Sequence, residues 1–385
     1  MIVNRDHVSS SGVYKGLDNL PIKETVLSTI DGEKGKLYYV GYSVEELAEK
    51  STYEEVCFLL LNHRLPSGSE LADFTSRLVE ERRLHPDVWS LLSRLPPEAS
   101  LMNKLKLGVD LLALYDKEAD SVDKNSRMRT AIRIISKIAT LATGLYRLSK
   151  GLEPVEPDSR LLHSSNFLYM ATGRKPDSLE SKIMDVAFIL HAEHELPASS
   201  TAALVVASTL SDLYSAVSAG IGALKGPLHG GANERALEML MSIKSPEEAQ
   251  QYVLRELGSK RKIMGFGHRV YKTFDPRAVI FKSYLEKLSE VKGDRRLLGI
   301  ADKVEEVMIK ELGSKMIFPN IDLYSGPVFS LLGLDKEMFT PIFAAARSVG
   351  WIAHVLEYWE DNRLIRPRAV YVGPEPRKYI PIDER

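Results

Sequence analysis

SVEELAEKSTYEEVCFLLL, from Ser43 to Leu61, carries the pattern that decides the fold. Val44, Leu47, Ala48, Tyr53, Val56, Leu59 and Leu60 recur at the spacing of one helix face. Ser43 stands where an N-cap belongs, with Glu46 three residues on, the pairing of a capping box. Ser51-Thr52 interrupts the pattern, so a restart is expected there. Helical patterns return at 69–81, 126–150, 178–191, 245–257, 299–312 and 341–359. Extended signals are few. Residues 25–30, then Asp31-Gly32, then 36–40 read as a small hairpin. Residues 369–372 read as a second extended piece before Gly373-Pro374. No βαβ alternation and no internal repeat is present, which argues against a Rossmann-type sheet. The expected fold is mainly α: two helical domains with a small N-terminal β-hairpin.

Bulk properties fit an enzyme of the cytoplasm. A chain of 385 residues is long enough for two domains and a large core. A net charge of −1 points to neither nucleic acid nor an acidic membrane surface. Cys57 is the single cysteine and lies in an apolar run, which fits a buried thiol in a reducing compartment. MIVNRDHVSSSG at the start lacks the apolar stretch of a signal peptide. Residues 201–225 are long and apolar, with Asp212 the one charge before Lys225. They are rich in Ser, Thr and Gly, and read as one or two buried helices, apolar on all sides.

Three further segments hold the chemistry: GPLHGGAN (Gly226 to Asn233), MGFGHRVYKTFDPR (Met264 to Arg277) and FPNIDLYSGP (Phe318 to Pro327). Each sets one titratable residue, His229, His268 or Asp322, among glycines, prolines and turn formers. Taken singly, each also reads as an ordinary turn, and Asp322 as an N-cap. Together, two histidines and a carboxylate form an acid-base set for chemistry beside a carbonyl. Intervals of 39 and 54 residues require a tertiary fold to unite them.

With HAEHELPAS (191–199) and ARSVGW (346–351), these segments resemble the citrate synthase family over nearly the whole chain. The resemblance implies condensation of acetyl-CoA with oxaloacetate in a homodimer or a multiple of it. Residues 1–225 and 327–385 would form a large domain, with 226–326 a small domain that closes over the cleft. Asp322 matches the family's base, His229 the donor to the thioester oxygen, and His268 the donor to the ketone of oxaloacetate. Flanking glycines would let a backbone N–H hold the other nitrogen of His229. His194, Arg277, Arg347 and Arg366 match residues that bind oxaloacetate, since a dianion calls for arginine forks. Arg366 would reach in from the partner subunit, and helices in 201–225 would form the dimer contact. Arg261, Lys262, Ile263, Met264, Gly265, Phe266, Lys272 and Lys315 match the CoA side. No cofactor or metal is implied, because three side chains provide the polarisation.

Departures from the family occur at Ser100-Leu101-Met102, Lys106 and 197–200 (PASS). They leave the choice between acetyl-CoA and propanoyl-CoA, hence between citrate and 2-methylcitrate, open. HAEHE and GGANE also resemble the 2-methylcitrate members. Two other readings stand beside this one. His191 and His194, with Glu193 and Glu195 nearby, have spacing compatible with a metal-dependent hydrolase. A helical scaffold without activity would have no use for His229, His268, Asp322 and the arginines.

Overall fold

In the computed structural model, which describes residues 12–17 and 20–385, the interruption at Ser51-Thr52 is a break between two helices. Helix α1 (Val44–Lys50) is capped by Ser43 and α2 (Tyr53–Asn62) by Thr52. Each cap side chain accepts a hydrogen bond from the backbone N–H three residues on. The hairpin precedes them: β1 (Ser28–Asp31) pairs antiparallel with β2 (Lys36–Tyr39). A third strand, β3 (Tyr42–Ser43), which the sequence did not announce, pairs with β2. Of the N-terminal stretch read for a signal, only Gly12 is among the described residues.

Helices make up most of the rest. In chain order they are α3 (Gly68–Glu80), α4 (Pro86–Leu92), α5 (Leu101–Leu114), α6 (Lys124–Ser149), α7 (His163–Thr172) and α8 (Ser178–His191). Then come α9 (Ala198–Ala207), α10 (Leu213–Leu224), α11 (Ala232–Ser242), α12 (Pro246–Gly258) and α13 (Pro276–Lys292). The last are α14 (Arg296–Leu312), α15 (Asp322–Leu331) and α16 (Phe339–Glu360). The stretch 201–225 contains most of α9 and all of α10, separated by a turn at 208–212, and each helix is too short to cross a bilayer. The stretch is not fully buried: Val205 of α9 is 42% exposed, and Leu210, in the turn between the helices, is 62% exposed. Helix α16 is long and apolar enough to cross a membrane, but packing against α6, α8, α9 and α10 buries most of it. Cys57 is fully buried, and burial raises its thiol well above the usual range.

Buried carboxylates tie helix ends together within this body. Asp185 of α8 accepts hydrogen bonds from Tyr53 N at 3.0 Å and Ser164 Oγ at 2.9 Å. Glu54 of α2 accepts from His163 N at 2.6 Å. Each carboxylate thereby meets an otherwise unsatisfied N–H at a helix start, supplied from a distant part of the chain.

Two compact units emerge. Thr25–Asn362 form the helical body just described. The second unit consists of the chain ends, through Glu24 and from Arg363 to Arg385. Its described part holds short 3-10 turns at Lys15–Leu17 and Ile382–Glu384. Residues 369–372 form no strand among the described residues; Tyr371 is 76% and Val372 89% exposed. Propensity alone proposed a strand there, and without a partner the β-formers stay irregular.

Candidate active site

Backbone pairing between two loops assembles the candidate site. Phe266 forms an isolated antiparallel bridge with Pro319. Gly267 N donates to Phe318 O at 2.8 Å, and Asn320 N to Gly265 O at 2.9 Å. The Asn320 side chain adds a bond to Gly267 O at 2.9 Å. Gly265, with φ +80°, is required here: a Cβ on it would lie 2.8 Å from Leu323 Cα. These contacts lay the His268 loop against the turn that begins α15 with Asp322.

Asp275 completes the junction. It is buried, and its carboxylate accepts from Arg277 N and Nε at 3.0 Å and Arg277 Nη2 at 2.8 Å. It also accepts from Ile321 N at 3.3 Å. One carboxylate therefore holds the guanidinium of Arg277 and the peptide beside Asp322. Burial raises Asp322 to about 6, against an opposing pull from Arg277. A base titrating there is ionised at neutral pH yet basic enough to accept a proton.

The histidines are neutral donors. His268 Nδ1 accepts from Val270 N at 3.1 Å and Tyr271 N at 3.2 Å. That arrangement places the ring proton on Nε2. Burial, then Arg277, lowers His268 to about 4. His229 follows a tight turn, with its N donating to Gly226 O at 2.9 Å. Its Nε2 lies 2.8 Å from Ser199 Oγ, which replaces the backbone N–H expected to hold this ring. Where the hydroxyl is the donor, the ring proton is on Nδ1; a hydroxyl can equally accept from Nε2–H. Burial, then Arg347, lowers His229 to about 4 as well. His194 is buried, its ring centroid 5.2 Å from that of His268, and its Nε2 is 3.1 Å from Tyr271 Oη. Burial, then Arg277, holds it well below the normal imidazole range.

Arg347 is 1% exposed and has no carboxylate within ion-pair distance among the described residues. Its Nε donates to His191 O at 2.6 Å, and its guanidinium lies 4.9 Å from the Phe343 ring centroid. Phe343 also meets His229, with centroids 6.1 Å apart. Burial, with Arg277 adding repulsion, lowers Arg347 to about 10. The charge of the buried Glu193 carboxylate opposes that shift. Nearby, Glu193 is fully buried and bonded to Ser28 Oγ at 3.0 Å and His354 Nε2 at 2.9 Å.

The structure thus connects His194, His268, Arg277 and Asp322 through Tyr271 and Asp275, and Arg347 to His229 through Phe343. His191 packs in the core on Phe281 and Phe343, its Nδ1 bonded to Ala187 O at 2.7 Å. Among the described residues no three His, Cys, Asp or Glu side chains are grouped to hold a metal ion. The CoA-side residues differ in exposure and partners. Arg261 forms an ion pair with Glu256 at 2.6 Å. Lys262, Lys272 and Lys315 are exposed, Ile263 is buried, and Met264 is half-buried. Arg366 is exposed in the second unit. The sequence missed Asp275, Tyr271, Ser199 and Glu193. DPR, next to a motif histidine, was the one local hint of Asp275.

A carboxyl raised to about 6, imidazoles held neutral by burial and buried arginines form a set whose chemistry suits proton transfer and charge stabilisation beside a carbonyl. This chain belongs to the citrate synthase family: the model for "Citrate synthase, C-terminal domain" matches residues 16–368. It is 46% identical to a citrate synthase of Saccharolobus solfataricus over 97% of this chain and all of that protein. A citrate/2-methylcitrate synthase of Bacillus subtilis is 41% identical over 93% of this chain and 96% of that one. The fold matches a citrate synthase of Thermoplasma acidophilum, solved with carboxymethyl coenzyme A and oxaloacetate. That match has a TM-score of 0.90 and 40% identity, and covers 97% of this chain and 99% of the other.

Proposed function

We propose that this chain condenses acetyl-CoA with oxaloacetate and hydrolyses the product thioester to citrate and CoA. The observation that carries the reading is the place of Asp322, at a helix start that Asp275 joins to Arg277; burial there pushes its carboxyl up. Asp322 takes a methyl proton from the thioester. His229 donates from Nδ1 to the thioester oxygen, where enolate charge develops. His268 donates from Nε2 to the ketone oxygen, which gains charge as the carbon–carbon bond forms. Arg277 and Arg347, with Arg366 of the partner subunit, bind the carboxylates of oxaloacetate, and His194 orients it. Arg261, Lys262, Ile263, Met264, Gly265, Phe266, Lys272 and Lys315 remain the proposed CoA contacts. The reading needs neither metal nor cofactor, because three side chains supply acid, base and polarisation.

The proposal includes a homodimer, or a multiple of it, in the cytoplasm. Helices α5 and α9 both pack on α10 and expose Leu107, Leu114 and Val205, apolar surface suited to a second copy. Residues 226–326, which carry His229, His268 and Asp322, are proposed to move against 1–225 and 327–385. A second reading, 2-methylcitrate synthesis from propanoyl-CoA, is favoured by the Bacillus subtilis relative, whose name covers both products. One methylene is worth about 1–3 kcal/mol of discrimination. The test is thiol release with oxaloacetate present, comparing the two acyl-CoA donors at steady state. A higher kcat/KM for acetyl-CoA supports citrate synthesis, and the reverse order supports the second reading. No thiol release from either donor overturns both.

A further inference from the structure

We infer that the β1–β2 turn, Asp31 to Gly35, is a positioning element for His268, holding the loop that holds the imidazole. The inference rests on the reading of His268 as donor to the substrate ketone. His268 takes its orientation from the backbone N–H groups of Val270 and Tyr271. The hairpin turn lies on the backbone of that same stretch. Lys272 N donates to Gly32 O at 2.9 Å. A Cβ on Gly32 would overlap Val270 O and sit 3.0 Å from Val270 C. A Cβ on Gly35 would lie 2.6 Å from Phe274 O and 2.8 Å from Thr273 Cγ2. Both glycines are therefore needed for close approach, and Gly35, with φ +63°, for turning the chain as well.

Strand β1 fixes the second loop that faces His268. Glu195 N donates to Ser28 Oγ at 3.1 Å, and Ile30 N donates to Glu195 Oε1 at 3.1 Å. Ser28 Oγ also donates to Glu193. His194 lies between these two anchored residues and meets Tyr271 of the first loop. One small hairpin, far away in sequence, thus sets the spacing of both loops at the point where His194 and His268 approach. Displacement of about 1 Å in such a constellation can cost on the order of 100-fold in rate.

Gly32 and Gly41 make a discriminating pair. Gly32 lies outside the left-handed region, so Gly32→Ala strains nothing except the contact with the Val270 peptide. Gly41 has φ +84° in the β2–β3 turn with nothing within 4 Å of its added Cβ, so Gly41→Ala strains the same sheet without touching the loop. Gly32→Ala should raise the KM for oxaloacetate and lower kcat, together on the order of 10–100-fold in kcat/KM, while the acetyl-CoA KM holds. Gly41→Ala should lower Tm and leave both kinetic constants near the parent's. Ser28→Ala, which removes only the bonds to Glu193 and Glu195, should raise the oxaloacetate KM if Gly32→Ala fails to fold. The inference is overturned if Gly32→Ala matches the parent in kcat and oxaloacetate KM. With Gly32→Ala unfolded, an unchanged oxaloacetate KM in Ser28→Ala overturns it. The parent is assayed alongside: a parent that releases no thiol defeats the functional reading itself, a separate outcome from an active parent and an equally active Gly32→Ala.

Discussion

Two buried polar clusters in the helical body invite comparison. One joins Glu54, His163 and Asp185; the other joins Asp322, His268, Arg277 and Asp275. Their perturbations look alike. Burial lowers His163 to about 3 and raises Glu54 and Asp185, just as it lowers His268 to about 4 and raises Asp322 to about 6. They differ in what holds them and what they are free to do. Glu54 and Asp185 are consumed at helix starts, capping α7 and α2. His268 is held from behind by backbone N–H groups of a glycine-bordered loop, which leaves Nε2–H to donate. Burial and a shifted pKa alone therefore do not mark a site; a held ring with a spare donor does.

The sharpest break between the clusters is expected in turnover. Asp322→Asn should lose on the order of 10²–10⁴ in kcat with oxaloacetate binding nearly kept. Asp185→Asn, measured in parallel, should change Tm and leave kcat per folded enzyme near the parent's. Equal kcat losses in both variants would erase the distinction drawn here.

Smaller effects sharpen it. Arg347→Lys removes the bidentate fork and should weaken oxaloacetate binding roughly 10–100-fold, the worth of a charged hydrogen bond. An unchanged oxaloacetate KM would move the carboxylate site elsewhere. Next in size is a factor of about four. Arg366→Ala and Asp322→Asn subunits, allowed to exchange, should regain about a quarter of parent activity when half the dimers are mixed, by statistics on two symmetric sites. No recovery after verified exchange would show that Arg366 serves its own subunit.

The smallest effect is on stability, and its sign differs between the clusters. Glu54→Gln keeps the shape but weakens the bond to His163 N, and should cost about 1–3 kcal/mol in a denaturant titration. Asp322→Asn should stabilise. The folded-state pKa of Asp322 is raised, so its protonated form is favoured by folding, and that stability is lost as pH rises through about 6. The Asn variant, fixed in a neutral form, should unfold later than the parent at pH 8 and alike at pH 4. A parent more stable at pH 8 would mean that the Asp322 carboxylate is not penalised by burial.

The helices were legible because period and caps are local. Ser43 caps α1, and the Ser51-Thr52 interruption is a true break. Strand β3 was too short to show a period, and residues 369–372 had β-formers but no strand to pair with. Among site residues, His229, His268 and Asp322 stood out because turn formers surround them. Ser199, Tyr271, Asp275 and Glu193 did not, because their roles come from partners brought by the fold: Ser199 meets a ring 30 residues on, and Glu193 a histidine 161 residues away. Such pairings leave no period in sequence.

The central claim is that a carboxyl tuned by burial, with histidines already neutral, performs the proton abstraction. The direct measurement is kcat/KM for acetyl-CoA at saturating oxaloacetate, by thiol release, from pH 4.5 to 8.5. Activity should climb with pH through a single limb near 6, since Asp322 must ionise while His229 and His268, near 4, are already neutral. The residual activity of Asp322→Asn should lack that limb. A limb near 6 that persists in Asp322→Asn would contradict the account.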